Sequence, residues 1–329
     1  MKMHKLAFVG LLSLALSTVA LSPLPAQCQA RQSSAASPRI LLGLGVHRQA
    51  AQNAGRSVPD PVALGLATAK VYHFASADFP GASNSIVFDE NISTLTVLGD
   101  SGFASLFGFT FHGLVYQELS VPNSVSSEAT GINTAGEIVG IYNDLANVTH
   151  GFLDNGGTFI TLDIGSGGTT EPTDINDSGE IVGIFEDASS VFHGFYTLDS
   201  GSSYTIFDVP GATSTQAAGV NTAGIISGEW IDASSKEHGF MYDGTNFTSI
   251  DFPSATSTGV IGINDSKEVA GFYTDAANVE HGFIYSAGAF TKVDVAGATG
   301  TQLTRIKNKG QITGLYTDSL NEQHGVTGH

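Results

Sequence analysis

Positive charge is scarce in this chain. It carries 13 Lys and Arg against 31 Asp and Glu, for a formal net charge of −18, and residues 71–235 contain no Lys or Arg at all. Nucleic acids and anionic membrane surfaces are bound through clustered cations, so that long stretch excludes a phosphate-backbone partner along its surface. Cysteine is scarcer still. The single Cys28 leaves no disulfide framework, so the fold must be held by its core. Tryptophan occurs once, at Trp230. There is no Gly-x-Ser-x-Gly elbow, phosphate-binding loop, metalloprotease helix or cysteine pair, so no local signature announces an enzyme. Many enzymes gather their residues from separate elements of the fold, so this absence leaves enzymes open as a class.

Long apolar runs are missing too, apart from one. Lys2 and Lys5 precede an apolar run from Leu6 to Leu21, followed by small residues, Pro23 and Pro25. The run is shorter than the roughly 20 residues a spanning helix needs, and the pattern predicts a signal peptide over residues 1–30 with secretion as its consequence. Residues 31–71 are rich in Ala, Ser and Gly and carry five cations against Asp60, the composition of a flexible linker.

What is abundant is repetition. Strand glycines recur at Gly140, Gly183, Gly228, Gly271 and Gly314, spaced 43 to 45 residues apart. In step with them come the aspartates Asp144, Asp187, Asp232, Asp275 and Asp318, and the histidines His150, His193, His238, His281 and His324, most within a His-Gly-Phe triplet. In Ile138–Tyr142 both faces of the alternation are apolar, so each such strand is covered on both sides. Asn133/Gly136, Asn176/Gly179 and Asn221/Gly224 bracket tight turns, with Asn capping the start and Gly taking the positive φ.

Four short antiparallel strands in about 43 residues make one blade of an all-β propeller. The final repeat stops at its third strand, while Tyr72-His-Phe74 to Asp78-Phe-Pro-Gly81 matches only a fourth strand and crossover. The expectation is therefore six four-stranded blades over residues 72–329, closed by an N-terminal strand. The segment Asp78–Val121 departs most from the pattern, with Phe107 where His is expected.

These motifs resemble the extracellular HAF repeat family, named for His-Ala-Phe and an Ile-Asn-x-x-Gly-x-Ile-Val-Gly segment; here the triplet reads His-Gly-Phe. The resemblance covers about residues 82–329. It implies a secreted or cell-surface bacterial protein with no defined activity.

An Asp and a His flanking one hairpin loop are possible metal ligands or an acid/base pair. Catalysis needs one site, however, and this pair occurs five times, so the ten residues are expected to tie each loop to its strands. Asp163, Asp208, Asp251 and Asp294 end the fourth strands and read as crossover caps, and Trp230 aligns with Tyr142, Phe185, Tyr273 and Tyr316 as a core position. Asp174–Gly179 resembles the opening of a calcium loop, but Phe185 stands where the twelfth-place Glu belongs. No metal or cofactor is expected.

The cations of the propeller gather late. Lys267 replaces a turn Gly, Lys307 a turn Asn, and Arg305 and Lys309 flank it. The four are expected to form one basic patch that receives an anionic glycan or a protein. The reading is a secreted, non-catalytic binding or structural module, with no nucleic-acid partner and no membrane insertion. The alternative is a polysaccharide-active hydrolase or lyase with its site in the central channel.

Overall fold

The computed structural model describes the backbone strands at 74–76, 85–91, 96–101, 108–112 and 115–118, and residues 119–328 other than 167 with their side chains. The signal-peptide and linker segments and Phe107 lie outside the described residues. The chain is an all-β propeller. Five of its four-stranded sheets are built from consecutive strands. They are β2 (Ser85–Asn91), β3 (Thr96–Ser101), β4 (Gly108–His112) and β5 (Val115–Leu119); then β6 (Ser124–Ile132), β7 (Ile138–Asp144), β8 (Thr149–Asn155) and β9 (Thr158–Leu162). Next come β10 (Thr169–Ile175), β11 (Ile181–Glu186), β12 (Phe192–Thr197) and β13 (Thr205–Phe207), followed by β14 (Ser214–Val220), β15 (Ile226–Ile231), β16 (Glu237–Tyr242) and β17 (Phe247–Ile250). The last is β18 (Ser257–Ile263), β19 (Val269–Thr274), β20 (Glu280–Ser286) and β21 (Ala289–Val293).

One more sheet is composite. It orders β22 (Gly300–Ile306), β23 (Ile312–Thr317) and β24 (Gln323–Gly328) with β1 (Phe74–Ser76) on its outer edge. Ser76 pairs with Val326 and Phe74 with Gly328. The repeat predicts six like blades; the structure holds five blades of consecutive strands and one sheet shared by the two ends of the described chain. The inner strands are β2, β6, β10, β14 and β18, each the first of its sheet, and β22 of the composite sheet, and they follow one another around the axis.

The repeated glycines have a steric cause. Every inner strand carries a β-bulge, between Ala129 and Gly131 in β6 and at the matching place in the others. The strand glycine lies opposite it. A Cβ on Gly140, Gly183, Gly228, Gly271 or Gly314 would run into the carbonyl oxygen of Glu128, Glu171, Gln216, Gly259 or Gln302. The bulge bends the inner strand toward its partner and leaves no room for a side chain. Phe152, Phe195, Phe240 and Phe283 of the His-Gly-Phe triplets are fully buried, each contributing about 1.5–3 kcal/mol by transfer from water.

The turn asparagines do more than cap. Asn133 Oδ1 accepts from the Glu137 amide at 3.0 Å, and its Nδ2 donates to the carbonyl of Asn176, the equivalent residue one blade on, at 3.3 Å. Asn176 donates to Asn221 at 2.9 Å, Asn221 to Asn264 at 3.2 Å, and Asn264 to Lys307 at 3.4 Å. The four side chains thus make a belt from blade to blade. Among the described residues no helix is long and apolar enough to cross a membrane.

Candidate functional site

The His/Asp pairs form a regular rim. Antiparallel pairing of Gly151 with Leu162 brings the residue before one beside the residue after the other, so His150 meets Asp163. His150 Nδ1 donates to Asp163 Oδ2 at 2.9 Å, while Nε2 lies 3.6 Å from Asp144 Oδ2. The arrangement repeats with His193 (Asp208, 2.9 Å; Asp187, 3.7 Å), His238 (Asp251, 2.7 Å; Asp232, 3.5 Å) and His281 (Asp294, 3.0 Å; Asp275, 3.4 Å). The fourth-strand aspartates are therefore histidine partners, not only crossover caps.

Each loop aspartate closes its own turn. Asp144 Oδ1 accepts from the amides of Ala146 and Val148, both at 2.8 Å. These backbone donors, first Val148, hold its carboxyl below the usual range, and Asp187, Asp232, Asp275 and Asp318 behave alike. The imidazoles pack on the preceding aromatic: Trp230 stacks on His238 at 4.6 Å, and Tyr142 on His150 at 5.1 Å. Trp230 is thus a half-buried member of a repeated pair. In the composite sheet, Asp318, Glu322 and His324 bring their ligand atoms within 4.8 Å of one another, the only such metal-ligating group among the described residues.

The expected basic patch does not form as a set of four. Lys267 and Lys309 are exposed and Lys307 half-buried on neighbouring turns, with Lys267 in the left-handed region at φ 61°. The turns are joined by acids and amides, Asn308 Nδ2 donating to Asp265 Oδ2 at 2.6 Å.

Arg305 is elsewhere. It is 4% exposed and lies on β22, whose neighbours around the axis are β18 and β2. Its Nη2 donates to the Thr173 carbonyl of β10 at 2.6 Å and the Thr130 carbonyl of β6 at 3.3 Å. Its Nε lies 3.7 Å from Asp174 Oδ1. β10 stands opposite β22, so the guanidinium crosses the axis. Three glycines allow this. Arg305 and Asp174 each follow the bulge of an inner strand, where β6, β14 and β18 have Gly131, Gly219 and Gly262. A Cβ on Gly131 would stand 2.9 Å from the Cα of Asp174, and one on Gly262 2.7 Å from the Cα of Arg305. Asp174 Oδ2 also accepts from the Val220 amide at 2.9 Å, so this carboxylate anchors a cross-axis contact and is not the first ligand of a calcium loop.

Toward the other face, the inner strands present Glu128, Glu171, Gln216 and Gln302 in register. Burial, then the charge of Glu186, pushes the Glu171 carboxyl up to about 7. Burial, with Glu237 beside it, raises Glu229 well above the carboxylate range. Nothing in a single repeat marks Glu229. Comparison down the column does, because the residue after the strand glycine is Ile141, Ile184, Phe272 or Leu315 in four other blades, Asp100 of β3 being the other acid.

No family model and no curated protein matches the chain. Among solved structures, SapL1 lectin in complex with alpha methyl fucoside aligns at a TM-score of 0.50 and 10% identity, over 75% of this chain and 92% of that one. AofleA from Arthrobotrys oligospora aligns at 0.50 and 10%, over 77% and 84%. The Aleuria aurantia lectin, described as a six-bladed β-propeller, aligns at 0.48 and 10%, over 74% and 90%. The likeness to the first two is one of fold.

Proposed function

We propose that this chain is a secreted or cell-surface propeller of the HAF repeat type, its six sheets forming one closed ring, that acts as a non-catalytic binding or structural module. The observation that carries this reading is Arg305. A hydrolase or lyase working in the central channel needs that space for substrate, and the guanidinium reaches across it to Asp174 and the Thr173 carbonyl. The rim supports the same reading, since four equivalent His–Asp pairs offer four like environments and no single reaction centre. A carbohydrate is the ligand class we favour, because SapL1, whose fold this chain shares, is described with a bound fucoside. The exposed Lys267 and Lys309, with the half-buried Lys307 between them, would direct the choice toward an anionic glycan or an acidic protein by salt-sensitive attraction.

A glycan screen run beside a hydrolase and lyase panel tests the proposal. The expected result is saturable binding of acidic glycans that weakens with salt and with the triple change Lys267→Glu, Lys307→Glu, Lys309→Glu, and no turnover. Turnover of any polysaccharide by the wild type but not by a channel variant would return the chain to the enzymes. Binding indifferent to salt and to the triple change would remove the lysines from the account.

A further inference from the structure

Among the described residues, eight buried side-chain polar atoms have no hydrogen-bond partner, and six of the eight belong to Ser214, Gln216, Glu229 and Glu237. A native interior leaves few such atoms, so a group of six in one place calls for a cause. The register places all four side chains on one face of one blade. Ser214 pairs with Ile231 and Gln216 with Glu229 across β14 and β15, and Ile231 pairs with Glu237 across β15 and β16. Cross-strand partners project to the same side of a sheet. That side faces the next blade: a Cβ on Gly239, also on this face, would meet the Val260 side chain, and one on Gly259 would stand 2.9 Å from Glu229 Oε2.

This gap between blades departs from the repeat twice. Glu229 stands where four of the other blades have an apolar residue, and Gly259 replaces the Glu or Gln found in four of the inner strands. The second change makes room for the first. Gln216 and Glu229 are each 2% exposed, and neither amide atom of Gln216 is satisfied. The neighbour that bears on the Glu229 carboxyl is a second acid, Glu237, which in turn feels the charge of Glu280. No described Lys or Arg forms an ion pair with Glu229 or Glu237.

We propose that this inter-blade gap binds a hard divalent cation of the calcium class. Its donors are all oxygen: two carboxylates, the Gln216 amide oxygen and the Ser214 hydroxyl, with water completing the set. Hard cations take that donor type, and thiolate or imidazole metals do not select it. A neutral ligand would not let both carboxylates ionise in this desolvated gap, whereas a divalent cation compensates both. The site is separate from the lysine-bearing turns of the proposed glycan surface and goes beyond that reading.

The full chain, stripped with a chelator, is titrated with Ca²⁺ or Mg²⁺ by calorimetry and thermal melting, with KCl at matched ionic strength as control. Saturable divalent binding is expected, with an upward shift of the melting midpoint on the order of 5 °C at a hundredfold excess over Kd. Glu229→Ile, which installs the residue of two other blades, should fold and lose the response. Glu229→Gln, which keeps the shape, should weaken binding at least tenfold if the charge is what binds. Asp318→Ala, at the rim cluster, should leave the response intact. An equal shift with KCl, an unchanged response in both Glu229 variants, or a response lost in Asp318→Ala and kept in Glu229→Ile each overturns the proposal.

Discussion

Arg305 and Asp174 face one another from opposite inner strands, Nε to Oδ1 at 3.7 Å, and both are almost wholly buried. Each depends on the other for its burial. Arg305→Ala should cost about 3–5 kcal/mol, because it leaves a carboxylate uncompensated in the interior. Replacing both with the glycine of the other blades should cost less than the two single changes added together. Urea denaturation of the three variants measures the coupling, and additive losses would dissolve the pair.

The asparagine belt makes a second prediction. Asn221→Ala removes an acceptor for the Ala223 and Ile225 amides and the donor to Asn264. A loss of about 1–3 kcal/mol is expected, with a lower denaturant midpoint and an unchanged m value.

The loop aspartates make stability fall in acid. Their folded carboxyls lie below the ordinary value of 3.8, so the folded state holds fewer protons than the unfolded one near that pH. Their contribution is complete above the unfolded value and is lost as pH falls through the depressed folded value. Melting midpoints should decline steeply below about pH 4, and Asp275→Asn should flatten that decline. A profile with the same slope in the variant would place the acid sensitivity elsewhere.

Glu171 acts in the opposite sense. Its folded carboxyl keeps a proton up to about 7, while the unfolded one releases it near 4.5. Between those values the folded state binds more protons, so this residue makes stability fall as pH rises. Glu171→Gln, which copies Gln216 and Gln302 at the same register, should melt with the wild type at pH 5 and above it at pH 8.

Closure can be tested by removing the N-terminal strand. A chain beginning at Gly81 lacks β1 and leaves the edge of β24 unpaired. Loss of cooperative unfolding and a tendency to aggregate are expected, read by melting and light scattering. An unchanged transition would make β1 dispensable.

Much of this architecture is legible in the sequence because the repeat enforces it. The spacing of Gly140, Gly183, Gly228, Gly271 and Gly314 marks the bulges, and the His-Gly-Phe triplets mark the buried third strands. The pairing of His150 with Asp163 was within reach by counting residues back from the β8–β9 hairpin. Arg305 was not. Its neighbours in sequence are the turn lysines, whereas its partners Thr130 and Thr173 are far off along the chain and meet it only once the inner strands encircle an axis. Glu229 is hidden in another way, since it stands out only against the apolar residues of four other blades and its meaning shows only beside Gly259.

The composite sheet also sets an order of events. A ribosome delivers Phe74 long before its partner Gly328, so β1 must wait, unpaired, through the synthesis of every intervening blade. Intermediate blades can form as they emerge, but the seam cannot be sewn until β24 is free. A stalled or clipped chain would therefore be left gaping, whatever the number of well-formed blades behind it.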